Sequence, residues 1–286
     1  MTPFELAEPT SLREALALLD PVDPAVRPIA GGTALMLMMK SGLFAPQRLV
    51  SLRGIEPRYS EIVVEDDGAL RIGAMVPLRA IERSSDVARA APVVAKAMRR
   101  LSNVRVRNVA RLGGHLAHGD PHLDLPPVLI ALDAAVSVAG PAGERTLAMD
   151  DLFEGYLETA LAPDELIAAV SIPAPQGRRA AYLKHTTRSA DDWPALGIAV
   201  NLALDGDTVA TARVAIGAAT DTPRRLPSVE AALAGRTLDD AALRDAGDAA
   251  AGEAEVHTDA RGSAAYKREL IRVFTGRAIR LAAEAG

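Results

Sequence analysis

The densest chemistry in this chain lies between Arg111 and Pro127, RLGGHLAHGDPHLDLPP, where two adjacent glycines, three histidines, two aspartates and three prolines share one segment. His115, His118 and His122, with Asp120 and Asp124, present the imidazole and carboxylate ligands that zinc, iron or manganese accept. Helical ligation wants pairs four residues apart on one face, and Gly119 and Pro121 interrupt any helix there, which leaves a metal only a loop arrangement. A polar loop lining a ligand cleft uses the same residue types without a metal. His185 and His257 are isolated and read as ordinary surface or core histidines. Nucleophilic hydrolysis has no support, since there is neither a G-x-S-x-G turn nor a cysteine. Asp66-Asp67, Asp150-Asp151 and Asp239-Asp240 fall at turns or helix starts, where capping explains them.

Gly113-Gly114 has an upstream counterpart in Gly31-Gly32, which follows a strand pattern and precedes a helical one. A glycine pair permits positive φ and lets a ligand approach bare backbone. Successive N–H groups at such a turn converge on an anion, and Thr33 adds a hydroxyl. A structural turn explains either pair taken alone. Together they suggest one shared ligand with many acceptor oxygens, and a diphosphate fits. Neither pair matches G-x-G-x-x-G or the P-loop, so a dinucleotide here is not bound in the Rossmann manner. Trp193, the only tryptophan, sits in the polar loop RSADDWPALG. It either stacks on a flat ring or anchors packing between domains. Pro194 stiffens the loop and holds Trp193 extended.

The elements that must position these residues are legible from periodicity. Ser11-Leu-Arg-Glu14 is a capping-box pattern opening a helix that ends by Asp20-Pro21. Val26 to Ala30 reads as a strand, ALMLMMKSG as a helix stopped by Gly42, and Arg48 to Leu52 as the next strand. EIVVEDDGALRIGAM is a hairpin turning at Asp67-Gly68. Helices are expected at Pro77 to Arg83, Pro92 to Leu101 and Pro127 to Leu132, with strands at AVSVAG and ELIAAVSIP. IPAPQGRRA, Ile172 to Ala180, is the best domain boundary. Beyond it, Leu196, Ile198, Val200, Leu202 and Leu204 alternate at period two and pair with TVATARVAIGAA across Asp205-Gly-Asp. Helices near Ser228 to Ala234, Asp239 to Ala251 and Ser263 to Glu284 close the chain. In the last, Tyr266, Leu270, Phe274, Ala278 and Leu281 form the expected apolar face.

At 286 residues and 49% hydrophobic, the chain is long enough for two or three subdomains. Its net charge of −5 argues against a general nucleic-acid binder. The basic run RRLSNVRVRNVAR, Arg99 to Arg111, is a local exception and reads as a solvated or partner-facing surface. With no cysteine, the chain holds no disulfide, thiolate catalyst or Cys-ligated cluster, and a reducing cytoplasmic setting fits. No apolar run approaches a transmembrane span, and the N-terminus lacks the pattern of a secretory signal.

AGGTALMLMMKSGL, RNVARLGGHLAHGDPHLDLPPVLIALDA and YLKHTTRSADDWPALGIAV resemble the FAD-binding medium subunit of molybdenum hydroxylases, the carbon monoxide dehydrogenase and xanthine dehydrogenase family. PDELIAAVSIP, ARVAIGAATDTPRR, AALAGRTLD and AYKRELIRVFTGRAI extend the likeness over nearly the whole chain. The resemblance implies an α+β fold: a two-part FAD-binding region of the vanillyl-alcohol-oxidase/PCMH type, then a smaller α+β domain of antiparallel sheet plus helices. The implied units are residues 1–55, 56–175 and 176–286. It implies that Ala30, Gly31, Gly32, Thr33 and Ala34, and then Arg111, Leu112, Gly113, Gly114 and His115, hold the FAD diphosphate, mainly through backbone N–H groups. His118 and Asp120 belong to the same cofactor-binding set. Asp124 would lie near the ribityl chain or flavin and Trp193 over the isoalloxazine, with Lys184 and Arg188 at nearby basic positions. Arg111 replaces the family's threonine and His115 its asparagine. No side chain here need act as a catalytic acid or base. Electrons would arrive from a small subunit with two 2Fe–2S clusters, reduced by a molybdopterin-binding large subunit, within a dimer of heterotrimers, and leave to an external acceptor. Rival readings are a stand-alone module for a diphosphate ligand, and a metal-dependent hydrolase built on His115, His118 and His122.

Overall fold

The computed structural model describes residues 2–285 and contains three main sheets. The first has β1 (Glu5–Ala7), β2 (Val26–Ile29) and β3 (Arg48–Ser51) in the order β1-β3-β2, all parallel. Its crossovers carry α1 (Leu12–Ala17) and α2 (Leu35–Lys40). Ser11 caps α1 by accepting from Glu14 N–H, while the Glu14 carboxylate accepts from Thr10 N–H and Oγ1–H, one residue before the expected box partner.

The second sheet begins with the hairpin β4 (Ile62–Val64) and β5 (Leu70–Gly73), turned by Gly68 at φ 83°. Six short helices follow: α3 (Leu78–Arg83), α4 (Ser85–Ala90), α5 (Pro92–Met98), α6 (Val104–Val109), α7 (Leu112–Ala117) and α8 (Leu125–Ala131). The chain then returns through β6 (Ala135–Gly140) and β7 (Gly143–Ala148), a small hairpin of β8 (Phe153–Gly155) and β9 (Glu158–Thr159), and β10 (Leu166–Ile172). The antiparallel order is β4-β5-β10-β6-β7. Periodicity missed α4, α6, α7 and β7–β9. α4, α6 and α7 are six-residue helices with less than two turns of pattern, and β7 is almost wholly exposed, so neither displays an apolar stripe. The basic run is also not uniformly solvated. Arg107 is buried, paired with Glu82 at 2.8 Å, and donates to the carbonyls of Leu101 and Ser102.

The third sheet is β11 (Arg179–His185), β12 (Leu196–Asp205), β13 (Thr208–Gly217) and β14 (Arg224–Arg225), antiparallel in that order. Helices α9 (Pro227–Leu233), α10 (Asp240–Glu253) and α11 (Ala264–Glu284) complete the chain. Both faces of this sheet are covered. Leu196, Ile198, Val200 and Leu202 join the core under the C-terminal helices, while Ala199 and Ala215 join the core of the second sheet. Between the sheets lies α8, every residue of which is buried, as expected of a helix apolar on all sides. The face of α11 departs from expectation. Lys267, Ile271, Thr275, Ala278, Ile279 and Ala282 are buried, whereas Tyr266 and Leu281 are exposed. The two helices pack closely, since a Cβ on Gly247 of α10 would stand 2.2 Å from Arg272 O, and Leu270 and Phe274 pack at the edge of the core rather than at its centre.

Candidate functional site

A cavity of about 910 Å³ lies where the first sheet meets the second, within the upper range of small-molecule sites. The loop leaving β2 forms one wall, with Ala30, Gly31, Gly32, Thr33 and Ala34 all lining it. Gly32 takes φ +71°, which turns the chain from strand to helix. Met36 N–H and Met38 N–H bond back to Gly32 O and Ala34 O, but among the described residues no N–H from Gly31 to Leu35 has an acceptor. Five consecutive donors at a cavity rim are costly if buried dry and suited to an oxyanion.

The opposite wall carries Arg111, Gly113, Gly114, His115, His118 and Asp124. The segments carrying the two glycine pairs, some eighty residues apart in sequence, lie against each other. A Cβ on Gly31 would lie 2.4 Å from Val109 O and 2.7 Å from Ala110 Cα, and one on Gly114 would lie 3.3 Å from Ala30 Cβ. The second pair works differently from the expectation of a positive-φ loop. Gly113 and Gly114 occupy the first turn of α7, and neither has positive φ. Leu112 N–H is taken by Val76 O and Gly113 N–H by Ala74 O, at 3.1 and 2.7 Å. Only the Gly114 N–H of that pair stays free among the described residues. Leu112 itself is core and does not reach the cavity.

Two nitrogens on this wall are buried without a partner, Arg111 Nε and His115 Nε2. Burial drives the His115 pKa down to about 4, aided by His118 and opposed by Asp120. Its ring is neutral near pH 7 and offers one donor and one acceptor. Burial also lowers His118. Asp120 does not line the cavity. Burial pushes its carboxyl up, but bonds from the His122 ring and N–H outweigh that and hold it below the usual range. His122 also faces Asp259 at 3.6 Å and meets the Trp193 ring edge-on at 5.9 Å. Trp193 is 43% exposed, lines the cavity mouth, and has Arg261 6.0 Å from its ring centroid.

Asp124, which opens α8, and Lys184 of β11 form a buried bridge between that helix and the third sheet. Lys184 Nζ donates to Asp124 Oδ2 and to Arg100 O, both at 2.8 Å, and Tyr182 Oη–H donates to Asp124 Oδ1 at 2.8 Å. Burial raises the Asp124 pKa despite Lys184, and raises that of Tyr182 further. The Lys184 ammonium is thus committed within the protein and does not line the cavity. Sequence reasoning singled out Lys184 and passed over Tyr182, although residues 182 and 184 share one face of a strand by period two. Arg188 is exposed in the β11–β12 connection. Among the described residues no group of three or more histidine, aspartate or glutamate side chains is arranged to hold a metal ion.

The free N–H row, the unpartnered His115 nitrogen and the close-packed glycines fit a ligand with a diphosphate and an extended aromatic body. Residues 2–175 match the family model for the FAD binding domain in molybdopterin dehydrogenase, and residues 181–282 that for the CO dehydrogenase flavoprotein C-terminal domain. The carbon monoxide dehydrogenase medium chain of Afipia carboxidovorans is 32% identical over 277 residues, covering 96% of this chain and 95% of the relative. The nicotine 6-hydroxylase medium subunit of Paenarthrobacter nicotinovorans is 34% identical over 274 residues, with the same coverage. A solved structure of carbon monoxide dehydrogenase from Hydrogenophaga pseudoflava superposes with a TM-score of 0.94 at 34% identity, over 99% of this chain and 98% of that one.

Proposed function

This chain belongs to the family of FAD-binding medium subunits of molybdenum hydroxylases, and from that premise we propose that it takes electrons from the iron–sulfur clusters of a partner subunit and passes them to an external acceptor. It is a flavoprotein subunit of an oxidoreductase. Bound FAD supplies a ring that accepts and returns electrons, and the protein's share of the work is to bind, orient and insulate it. The observation that carries the reading is the row of five unpartnered N–H groups from Gly31 to Leu35, facing Gly114 and His115 across one cavity.

In this reading the Gly31–Leu35 amides and Gly114 N–H hold the diphosphate. His115, kept neutral by burial, bonds to the cofactor without adding charge. Trp193 covers the flavin ring at the mouth, set by its edge contact with His122. Asp124 helps wall the cavity while its carboxylate ties β11 to α8, so its influence on the flavin is chiefly positional. The proposed units are residues 1–55 and 56–175 for the two FAD-binding parts and 176–286 for the third domain. A chain without cysteine cannot supply thiolates to an iron–sulfur cluster. The clusters are therefore assigned to a small subunit with two 2Fe–2S centres and the molybdopterin to a large one, in a dimer of heterotrimers working in the cytoplasm. No helix among the described residues is long and apolar enough to cross a membrane.

The test is to isolate the chain with its partners, add the substrate of the molybdenum subunit without acceptor, and follow the flavin absorbance band. Bleaching of that band, restored on adding acceptor, is expected. Reduced clusters beside a flavin that stays oxidised would remove the electron-transfer role while leaving FAD binding intact.

A further inference from the structure

A second cleft, of about 390 Å³, is lined by Arg53, Ser60, Met75, Asn108, Val109 and Arg111. It lies across the Val109–Arg111 backbone from the flavin loop, because Val109, which lines it, turns its carbonyl toward Gly31. Met75 and Arg111 line both cavities. Three separate elements supply the polar groups: the turns that follow β3, the helix α6, and the residue capping α7.

The chemistry of the lining is one-sided. Arg53 and Arg111 bring two guanidinium groups, Ser60 a hydroxyl and Asn108 an amide. Arg111 occupies a helix N-cap without making a capping bond, and its Nε is buried with no acceptor. The influences on its charge are burial first and then repulsion from Arg53, with no carboxylate among them. Glu56, the acid nearest in sequence to Arg53 and Ser60, spends its carboxylate on Leu12 N–H. Arg58 stacks over the Tyr59 ring at 4.8 Å and bonds the Tyr59 hydroxyl. Two like charges around a cleft, one with a buried unsatisfied donor, are unfavourable alone and become favourable around an anion. Two guanidiniums balance two negative charges, and their forked donors match phosphate oxygens.

We propose that the Arg53–Arg111 cleft is a binding site for a phosphate dianion separate from the FAD diphosphate, either free phosphate or the phosphate of a nucleotide. The inference goes beyond the electron-transfer role and does not depend on it. An occupant here would sit one residue from the flavin cavity and would orient Arg111 between the two.

The experiment is calorimetric titration of the FAD-loaded full chain with inorganic phosphate at constant ionic strength, with AMP titrated in parallel. The expected result is one saturable phosphate site per chain. Arg53→Met should weaken it by about tenfold or more, the loss of one charge-assisted contact, with flavin content unchanged. Asn108→Ala should weaken it less and provides a second, conservative variant should Arg53→Met fail to fold. AMP binding more tightly than inorganic phosphate assigns the site to a nucleotide, and the reverse order assigns it to free phosphate. No saturable binding to the loaded chain overturns the proposal. So does binding confined to the flavin-free chain and displaced by FAD, which would give both arginines to the flavin's own diphosphate. Flavin content, read from absorbance in each sample, separates failure of this site from failure of FAD binding.

Discussion

Gly31→Ala is the sharpest test of how the site is built. The residue has no positive φ, so an added methyl costs nothing in backbone conformation. What it meets is backbone: Val109 O at 2.4 Å and Ala110 Cα at 2.7 Å, where ordinary contact begins near 3.4 Å. The two segments must separate by about 1 Å, a forced overpacking that costs ~1–3 kcal/mol. That should lower Tm by about 2–5 °C for a chain of this size. The same displacement stretches a hydrogen bond of about 2.9 Å beyond useful length. Losing one such bond to a phosphate oxygen, worth ~1.5–3 kcal/mol, raises the Kd for FAD by roughly 10- to 100-fold. The assay is flavin-to-protein ratio after gel filtration, followed by titration of the stripped chain with FAD. Gly114→Ala is the control, because its methyl would meet only the Ala30 side chain at 3.3 Å, which yields by tenths of an ångström. It should retain FAD nearly as the parent does. A Gly31→Ala protein with parental FAD affinity, or a Gly114→Ala protein that loses FAD more severely, would refute the close-approach geometry.

Three further outcomes follow from the same geometry. His115 carries a folded pKa of about 4 against 6.5 when unfolded, so the unfolded chain binds the extra proton between those values. Stability is therefore fully present above pH 6.5 and falls by about 3 kcal/mol as pH drops to 4. Urea midpoints of the flavin-free chain should show this loss, and His115→Asn should remove that part of it; an identical pH slope in the variant would contradict a buried neutral imidazole. Lys184→Met should cost ~3–5 kcal/mol by leaving the Asp124 carboxylate buried and uncompensated. The added change Asp124→Asn should recover part of that loss in the same urea titration, and a Lys184→Met chain as stable as the parent would show that Asp124 is neutral in the fold. Because Trp193 is the only tryptophan, intrinsic emission reports on it alone. FAD should quench that emission strongly, and Trp193→Ala should weaken FAD binding by about 1–3 kcal/mol of stacking, whereas unquenched emission would place the ring away from the flavin.

β10, β12, β13, the long helices and the pairing across Asp205-Gly206-Asp207 were legible because each displays a pattern over enough residues to be periodic, whereas β1, β7–β9, β11 and β14 were not. Lys267 and Thr275 on the buried face of α11 were not legible either, since polar residue types do not announce burial, and Lys267 is buried because Asp259 takes its ammonium at 2.8 Å. The site divides in the same way. Residue type alone marks Gly31-Gly32 and Gly113-Gly114 as places where backbone can be approached, and the structure brings both pairs to one cavity. Residue type does not show that the approach is mutual, each segment lying against the other. Nor does it show which amides remain free to bind. Carbonyls of Ala74 and Val76, donated by the turn after β5, consume the N–H groups of Gly113 and Leu112. Among the described residues no corresponding acceptor reaches Gly31 through Leu35. The two glycine pairs look equivalent in sequence, yet Gly31 opens a row of free donors and lies against backbone, while of the second pair only Gly114 keeps a free N–H among the described residues and it lies against a side chain. That asymmetry is a property of neighbours, and it predicts that Gly31 and Gly114 respond differently to the same added methyl.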